Sequence, residues 1–331
     1  MLAYVVQRVL AIIPLLLFVS IITFVIIQLP PGDFFTSLQA EIAETGGGQD
    51  ARTLEALRKQ YGLDRPQYIQ YLKWITGFLR GDFGWSLEWN SPVWPLVASR
   101  LGYTVLLGCI SLAFTMLIAI PIGIYTATHQ YAISDNLLSF VGFVGLSLPG
   151  FLLALAWMFF GALVLRIDVW GTLSPEMEDA PFSIAKAADY LNHLWPPAVI
   201  LGLASTAQLQ RIMRGSMLDV FGQQFITTAR AKGLKERKVI NKYGVRVAIN
   251  PLISVLALEI PKMISESALI GIVMSLPTTG PLFLRALRTQ DMYLAGTFLL
   301  FMTLLLMVSN LIADIVLALV DPRIVYESDS E

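Results

Sequence analysis

Glu259, Lys262 and Glu266 stand three and four residues apart inside an otherwise apolar run, so a helix would carry all three on one face. A charge in hydrocarbon is costly unless it is paired or faces water. The set therefore marks either a structural ion-pair stripe turned toward neighbouring helices or the lining of a polar path, and the spacing leaves both open. Just ahead of it lies the most basic stretch of the chain, Phe225 to Pro251, which reads FITTARAKGLKERKVINKYGVRVAINP. Between residues 211 and 246, nine cations (Arg211, Arg214, Arg230, Lys232, Lys235, Arg237, Lys238, Lys242 and Arg246) face two acids, Asp219 and Glu236. Residues of these types suit electrostatic docking rather than bond making.

Groups for bond making are sparse. The sequence contains no phosphate-binding G-x-x-x-x-G-K-[ST] loop, no H-E-x-x-H helix and no G-x-S-x-G elbow. His129 and His193 stand alone near the ends of apolar runs and read as interfacial polar residues. The single cysteine, Cys109, lies within an apolar run, so neither a disulfide framework nor a thiolate metal site is expected. Asp314 reads as a packing or capping residue. Neither catalytic residues nor a metal site is expected, and no cofactor is expected in this chain.

Composition sets the solvent. Apolar residues make up 56% of 331 positions and charged residues 14%, with a mean hydropathy of +0.66, which excludes an ordinary soluble domain. The net charge of -1 gives no reason to expect nucleic acid as a partner. Six apolar runs follow one another, at about Val9–Leu29, Leu101–Ala127, Asn136–Leu165, Leu194–Gln210, Pro251–Ser275 and Leu294–Val320. Each is near the length a tilted helix needs to cross a bilayer, the fourth being the shortest. The first run follows Arg8 and is too long for a signal-peptide core, so it reads as a retained span ended by Pro30 and Pro31. The fold class expected is an all-α integral membrane protein with six transmembrane helices.

Orientation follows from the cations. The short connections on the face opposite the basic loop hold two each, Arg166 with Lys186 and Arg285 with Arg288; the long segment after the first run also holds several basic residues, but long loops cross membranes largely regardless of charge. The positive-inside rule then puts the basic loop and both termini in the cytoplasm. The chain divides into residues 1–30 with the first span, an outer segment 31–100, and a five-helix core 101–331 with the basic loop at 211–250. In the outer segment, DRPQYIQYLKWITGFLRGD predicts an amphipathic helix with Asp64 as N-cap, Pro66 near its start and Gly81 as its stop. Ala43–Asp50 reads as a loop tip, and Trp85, Trp89 and Trp94 as an interfacial belt. Pro121 and Pro149 allow helix kinks. Gly171–Trp195 reads as an outer capping helix or a contact for an external receptor.

The basic loop has internal order. Leu218, Phe221 and Phe225 recur at helical spacing, Gly233 permits a left-handed turn, and Val239, Ile240, Tyr243 and Val247 give a second amphipathic segment that ends at Pro251, where the next span is expected to start. The expected object is a helical hairpin with a positive exterior, a docking knob. Fixing topology or binding anionic lipid are the plainer uses of such charge.

This loop resembles the cytoplasmic loop of binding-protein-dependent ABC importer permeases, in the branch for dipeptides, oligopeptides and nickel. The resemblance extends in order through YVVQRVLAIIPLLLFVSIITFVIIQLPPGD, YGLDRPQYIQYLKWITGFLRGDFGWSL, SLPGFLLALAW, TARAKGLKERKVINKYGVRVAINP, MSLPTTGPLFLRALRTQDMYLAG and NLIADIVLALVDPRI. It implies a type I importer architecture in a bacterial or archaeal inner membrane. The implied partners are a second homologous permease, two cytoplasmic ATPases that bind ATP and Mg, and an external solute-binding protein. Thr228, Ala229, Arg230, Ala231, Lys232, Gly233 and Leu234, with Arg246 and Pro251, match the ATPase-coupling element. Tyr243, Val247 and Gly271 depart from the usual His, Asn and Glu. The implied solute is a peptide, with oligosaccharide or nickel as alternatives. An ion-coupled secondary transporter and a membrane-embedded enzyme are the rivals from other classes; the first would need inverted repeats and the second a catalytic constellation, neither of which is visible in the sequence.

Overall fold

The computed structural model describes residues 2–36, 38, 39, 55, 56, 58, 59, 61–166, 169, 171–181 and 183–320. The expected loop tip at Ala43–Asp50 lies outside them. The described chain is almost entirely helical: α1 (Leu2–Gln28), α2 (Gln67–Leu79), α3 (Val93–Thr128), α4 (Ile133–Ser147), α5 (Gly150–Phe160), α6 (Ile184–Phe221), α7 (Gln224–Ala231), α8 (Val245–Val273), α9 (Thr279–Arg288) and α10 (Met292–Val320). One two-residue hairpin, β1 (Trp85–Ser86) with β2 (Ser91–Pro92), pairs antiparallel. Two compact units emerge. Among the described residues, one comprises those within 6–103 and 278–308, the other those within 2–5, 104–277 and 309–320.

In the first unit, α2 lays Trp74 into a cluster with Phe24, Val93, Val97, Leu294 and Phe298. The indole N–H donates to Thr297 Oγ1 at 3.3 Å, so the ring is buried without leaving its one polar atom orphaned. Helix α2 starts later than its sequence suggested. Its N-cap is Pro66, extended at φ -53° and ψ 143°, not Asp64. Proline fixes that φ, and its carbonyl then accepts from Ile69 and Gln70. The side-chain amide of Gln70 donates to the carbonyls of Arg65 at 2.7 Å and Leu63 at 3.2 Å, which ties the preceding turn to the helix. Asp291 caps α10, accepting from the Leu294 N–H at 3.1 Å and from Ser86 Oγ at 2.6 Å. Burial nevertheless pushes its carboxyl above the ordinary carboxylate range.

The second unit is built on α6, which packs against α3, α4 and α8. At Gly123 a Cβ would lie 2.6 Å from the Cβ of Met213, so only glycine allows α3 and α6 to approach so closely. Small residues play this part where helices associate in lipid, because packing replaces the hydrophobic drive.

Two of the expected spans take a different form from the one the apolar runs suggest. Among the described residues, four helical stretches are long and apolar enough to cross a bilayer: Leu10–Gln28, Val93–Thr128, Glu236–Val273 and Met292–Val316. The run Asn136–Leu165, expected as a single span, is instead α4 followed by α5, bent by 100°. The cause is local. Pro149 has no N–H to continue α4, and Leu148 before it is extended at φ -97° and ψ 126°. Counted as one, this pair makes a fifth crossing. The run Leu194–Gln210 lies within α6 and falls short in apolarity, since Ser205, Thr206 and Gln210 interrupt it. Those three are buried, and a helix lined by protein needs no continuous apolar surface. Pro121, by contrast, sits within α3 without interrupting it.

The stretch before α6 folds back upon it. Asp189 accepts from the Ser174 N–H at 2.8 Å and its hydroxyl at 2.7 Å, which holds the Asp189 carboxyl below the usual range.

Candidate functional site

The basic stretch forms a compact hairpin within the second unit. Helix α6 ends at Phe221, α7 runs Gln224–Ala231, a single turn at Glu236–Lys238 follows, and a π-helical segment at Val239–Gly244 leads into α8. Ile226, Ala229 and Val239 point into one cluster with Met213, Met217 and Ala248. The hairpin is thus anchored by its own apolar face.

Gly233 makes the turn. Its φ is +70°, and the two backbone bonds that close a helix through a left-handed residue are both present. The Gly233 N–H donates to Arg230 O at 2.9 Å, and the Leu234 N–H donates to Ala229 O at 3.4 Å. Leu234 packs on the cluster that contains Ala229, the apolar contact that accompanies such a turn. A second tie spans it. Arg230 Nη2 donates to Glu236 Oε1 at 2.7 Å, and the same guanidinium lies 5.6 Å from the Phe221 ring centroid.

The Arg230 guanidinium holds the Glu236 carboxyl below the usual range. A carboxyl lowered on folding stabilises at neutral pH, and this contribution is lost only as pH falls through the lowered value. Both side chains are about half exposed, so the pair is worth no more than about 1 kcal/mol. Glu236→Gln is expected to make protease cutting between Ala231 and Lys238 modestly faster at pH 7, with the difference from the unaltered chain vanishing in strong acid.

Around this frame the cations point outward. Lys232, Lys235, Arg237, Lys238, Lys242 and Arg246 are all exposed. The polar surface therefore surrounds an apolar anchor. Of the expected coupling residues, Thr228 to Ala231 lie in α7, Lys232 caps it, and Gly233 and Leu234 form the turn. Arg246 sits in the first turn of α8. Pro251 does not start its helix: α8 begins six residues earlier, at Val245. The proline removes one helical bond, to the carbonyl of Val247, an exposed residue whose oxygen can find another partner.

Two side chains expected on the apolar face are exposed instead, Phe225 and Val247. The break at Gly222 resets the helical phase, so Ile226 takes the inward position. The π-helical segment inserts extra winding, so Ala248 replaces Val247. Sequence periodicity assumes unbroken α-helix and fails at both points.

Farther along α8, Glu259 is buried and accepts from Lys262 Nζ at 3.2 Å and from the Ser205 hydroxyl of α6. Glu266 is half-buried and, among the described residues, joins neither Lys262 nor another group by hydrogen bond or ion pair. Absent from the sequence reading was the pair of Asp135 on α4 and Arg214 on α6, bidentate at 3.0 and 2.8 Å. These residues are 79 apart, and the only signal was one acid at the head of an apolar run. Among the described residues, no group of three or more His, Cys, Asp or Glu is placed to hold a metal ion.

Residues 119–326 match the model of the binding-protein-dependent transport system inner membrane component, and residues 1–108 match the N-terminal region of the same membrane component. The chain belongs to this family of ABC importer permeases, multi-pass proteins of the inner membrane, and is not itself an enzyme. It is 37% identical to the oligopeptide transport system permease protein AppB of Bacillus subtilis, over 98% of this chain and 100% of that protein. It is 34% identical to a putative peptide permease of Brucella ovis, over 98% and 99%. It is 30% identical to the glutathione transport system permease protein GsiC of Escherichia coli K12, over 99% and 100%. Membership brings ATPase and binding-protein partners in general.

Proposed function

We propose that the chain forms half of the translocation pathway of an ATP-driven peptide importer in a bacterial or archaeal inner membrane. Its partners would be a second homologous permease, two cytoplasmic ATPases that bind ATP and Mg, and an external solute-binding protein. Six crossings, with α6 as the most polar and the α4–α5 pair as one, put both termini and the hairpin in the cytoplasm. The relatives named for oligopeptide, peptide and glutathione transport favour peptides over oligosaccharide or nickel.

The observation that carries the reading is the braced cationic hairpin at Gln224–Gly244, set between two long helices. ATP binding closes the ATPases, and the hairpins transmit that closure so that the permease helices exchange inward-open and outward-open states. Nucleotide drives this only through its unequal affinity for the two arrangements. Stiffness is therefore the functional property of the hairpin, and the turn, the Arg230–Glu236 tie and the buried anchor all supply it.

Ala231 is exposed at the end of α7, which makes it the reporter position. In a background where Cys109, the single native cysteine, is replaced by serine, Ala231→Cys is expected to cross-link to a nucleotide-hydrolysing subunit with a yield that changes when ATP is bound. Cross-linking to lipid alone, or labelling by an impermeant reagent from outside the cell, would overturn the assignment.

A further inference from the structure

Helices α4 and α6 enclose a cleft of about 260 Å³ near the end of α6 that leads into the hairpin. Its polarity changes along its length. At one end stand Asp135 and Asn136 of α4 with Arg211 and Arg214 of α6, and at the other Phe143 and Leu146, about 16 Å farther along the α4 axis. The polar end matches a membrane boundary, because residues 194–210 contain no Asp, Glu, Lys or Arg and Arg211 is the first charge after them. Tyr131, 80% exposed, lines the same end, where an interfacial aromatic belongs. Beyond the cleft, Leu137, Phe140, Val141 and Val144 of α4 are exposed, an apolar surface of the kind a helix shows to lipid.

Charge at the polar end does not cancel. Asp135 is satisfied within the protein, by Arg214 Nε and Nη2, the Tyr131 N–H and the Ser139 hydroxyl. That pair is neutral, and it leaves Arg214 Nη1 without a partner among the described residues. Arg211 is exposed and, among the described residues, joins no group by hydrogen bond or ion pair, so its charge is in excess. Gln210 also lines the cleft. It is 6% exposed, yet its side-chain amide has no hydrogen-bond partner among the described residues, and a buried amide left unpaired is costly. Water would satisfy the amide but would not balance the cation. The N-cap of α4, Ala132, offers no side chain to the first N–H groups, so the positive end of that helix adds to the field.

We propose that this cleft seats an anionic phospholipid of the leaflet on the hairpin side, its phosphate accepting from Arg211 and Gln210 and the first part of one acyl chain lying along Phe143 and Leu146. The cleft is too small for a whole lipid, so the remainder of the molecule stays in the bilayer. An arginine suits this role because its planar fork matches phosphate geometry, and basic pockets between membrane helices hold such headgroups. A zwitterionic lipid fits less well, since its ammonium brings a second cation to a cleft that already has one in excess. A soluble phosphate would leave the apolar end unfilled. The occupant would touch α4 and α6 together, beside the Asp135–Arg214 joint. The inference needs only a bilayer whose edge lies at Arg211, and it is independent of the solute carried.

The test uses the assembled transporter in phosphatidylcholine nanodiscs that contain one of two photoactivatable lipids. One is a phosphatidylglycerol and the other a phosphatidylcholine, with the same diazirine-bearing acyl chain and at the same mole fraction. The phosphatidylglycerol probe is expected to label residues 139–146 or 203–211 roughly tenfold more than the phosphatidylcholine probe, the low end for a hydrogen bond to a charged group. Arg211→Gln should remove most of that preference, and Arg211→Lys should retain part of it. Lys238→Gln combined with Lys242→Gln should leave it unchanged; a preference that disappears with those hairpin cations would reflect diffuse attraction and overturn the site. Excess inorganic phosphate should not displace the probe, and displacement would make the occupant a soluble anion instead. Equal labelling by the two probes in the unaltered chain, or labelling only outside these segments, overturns the proposal without recourse to any variant.

Discussion

Gly233→Val is expected to leave an assembled importer that hydrolyses ATP but no longer couples hydrolysis to uptake. A Cβ at this position meets no atom within 4 Å, so the substitution creates no clash and its penalty is purely torsional. Left-handed backbone costs an L-residue about 1–2 kcal/mol, and a β-branched side chain is the least tolerant of it. That energy is small beside the packing of two long helices, so insertion and assembly should survive. It is large beside the free energy that closes one turn, because 1–2 kcal/mol shifts a local equilibrium about 5- to 30-fold. The bonds at stake are those from Gly233 to Arg230 and from Leu234 to Ala229. Once they open, α7 can pivot on Gly222 and Gln223, and motion of the ATPase is absorbed in the hinge. The measurement is uptake per ATP hydrolysed in proteoliposomes. Gly233→Asn is the matched control, since asparagine visits the left-handed region readily and should retain most of the coupling. A valine variant with the coupling ratio of the unaltered chain would show that the turn need not be stiff.

Much of this hairpin was legible because its determinants are local. The glycine after a short amphipathic helix, the cations around it and the apolar runs on either side are neighbours in sequence, and each maps onto one physical requirement. The existence and end of helix α2 were legible for the same reason, with Gly81 at a φ of +81°, but its buried side was not: Tyr68, Leu72 and Leu79, expected on the apolar face, are exposed, and Gln70 and Trp74 are buried. What escaped was set by breaks in periodicity or by distance along the chain. The π-helical turn at Val239–Gly244 changes the phase by its winding, which no single residue announces. Pro149 was visible as a breaker, but whether a proline kinks a helix or ends it depends on the residue before it and on what packs nearby. The bonds from Ser205 to Glu259 and from Arg214 to Asp135 join residues 54 and 79 positions apart, and pairing over such distances is fixed only by how the helices dock. The stripe Glu259, Lys262 and Glu266 was seen as a group, yet its division into a buried end hydrogen-bonded to Lys262 and a half-buried end without such a bond required the tertiary structure.

Arg214→Met is expected to weaken the second unit more than any change on the hairpin surface. Asp135 is 2% exposed and sits in the first turn of α4. It accepts from Arg214 twice, and from the Tyr131 N–H at 3.0 Å. Its charge is therefore balanced by one guanidinium, one amide, the Ser139 hydroxyl at 3.5 Å and the positive end of the α4 dipole. Removing the guanidinium strands a buried carboxylate, which costs about 3–5 kcal/mol; the lower end applies because the Arg214 side chain is still 25% exposed. The loss falls on the joint between α4 and α6, two turns before α6 reaches the hairpin. Removing both partners is a different perturbation: in Asp135→Leu with Arg214→Met neither charge remains to be solvated, and apolar replacement of a buried pair is often close to neutral. The expected pattern is a double variant more stable than Arg214→Met alone, read as the midpoint of thermal unfolding in lipid nanodiscs. If the two losses instead add, the pair does not act as a unit and α4 is held to α6 by packing alone. The function should separate from the stability: a double variant that folds yet transports poorly would mean that the joint must part and re-form during the cycle, which a charged pair at a partly open edge can do and an apolar one cannot.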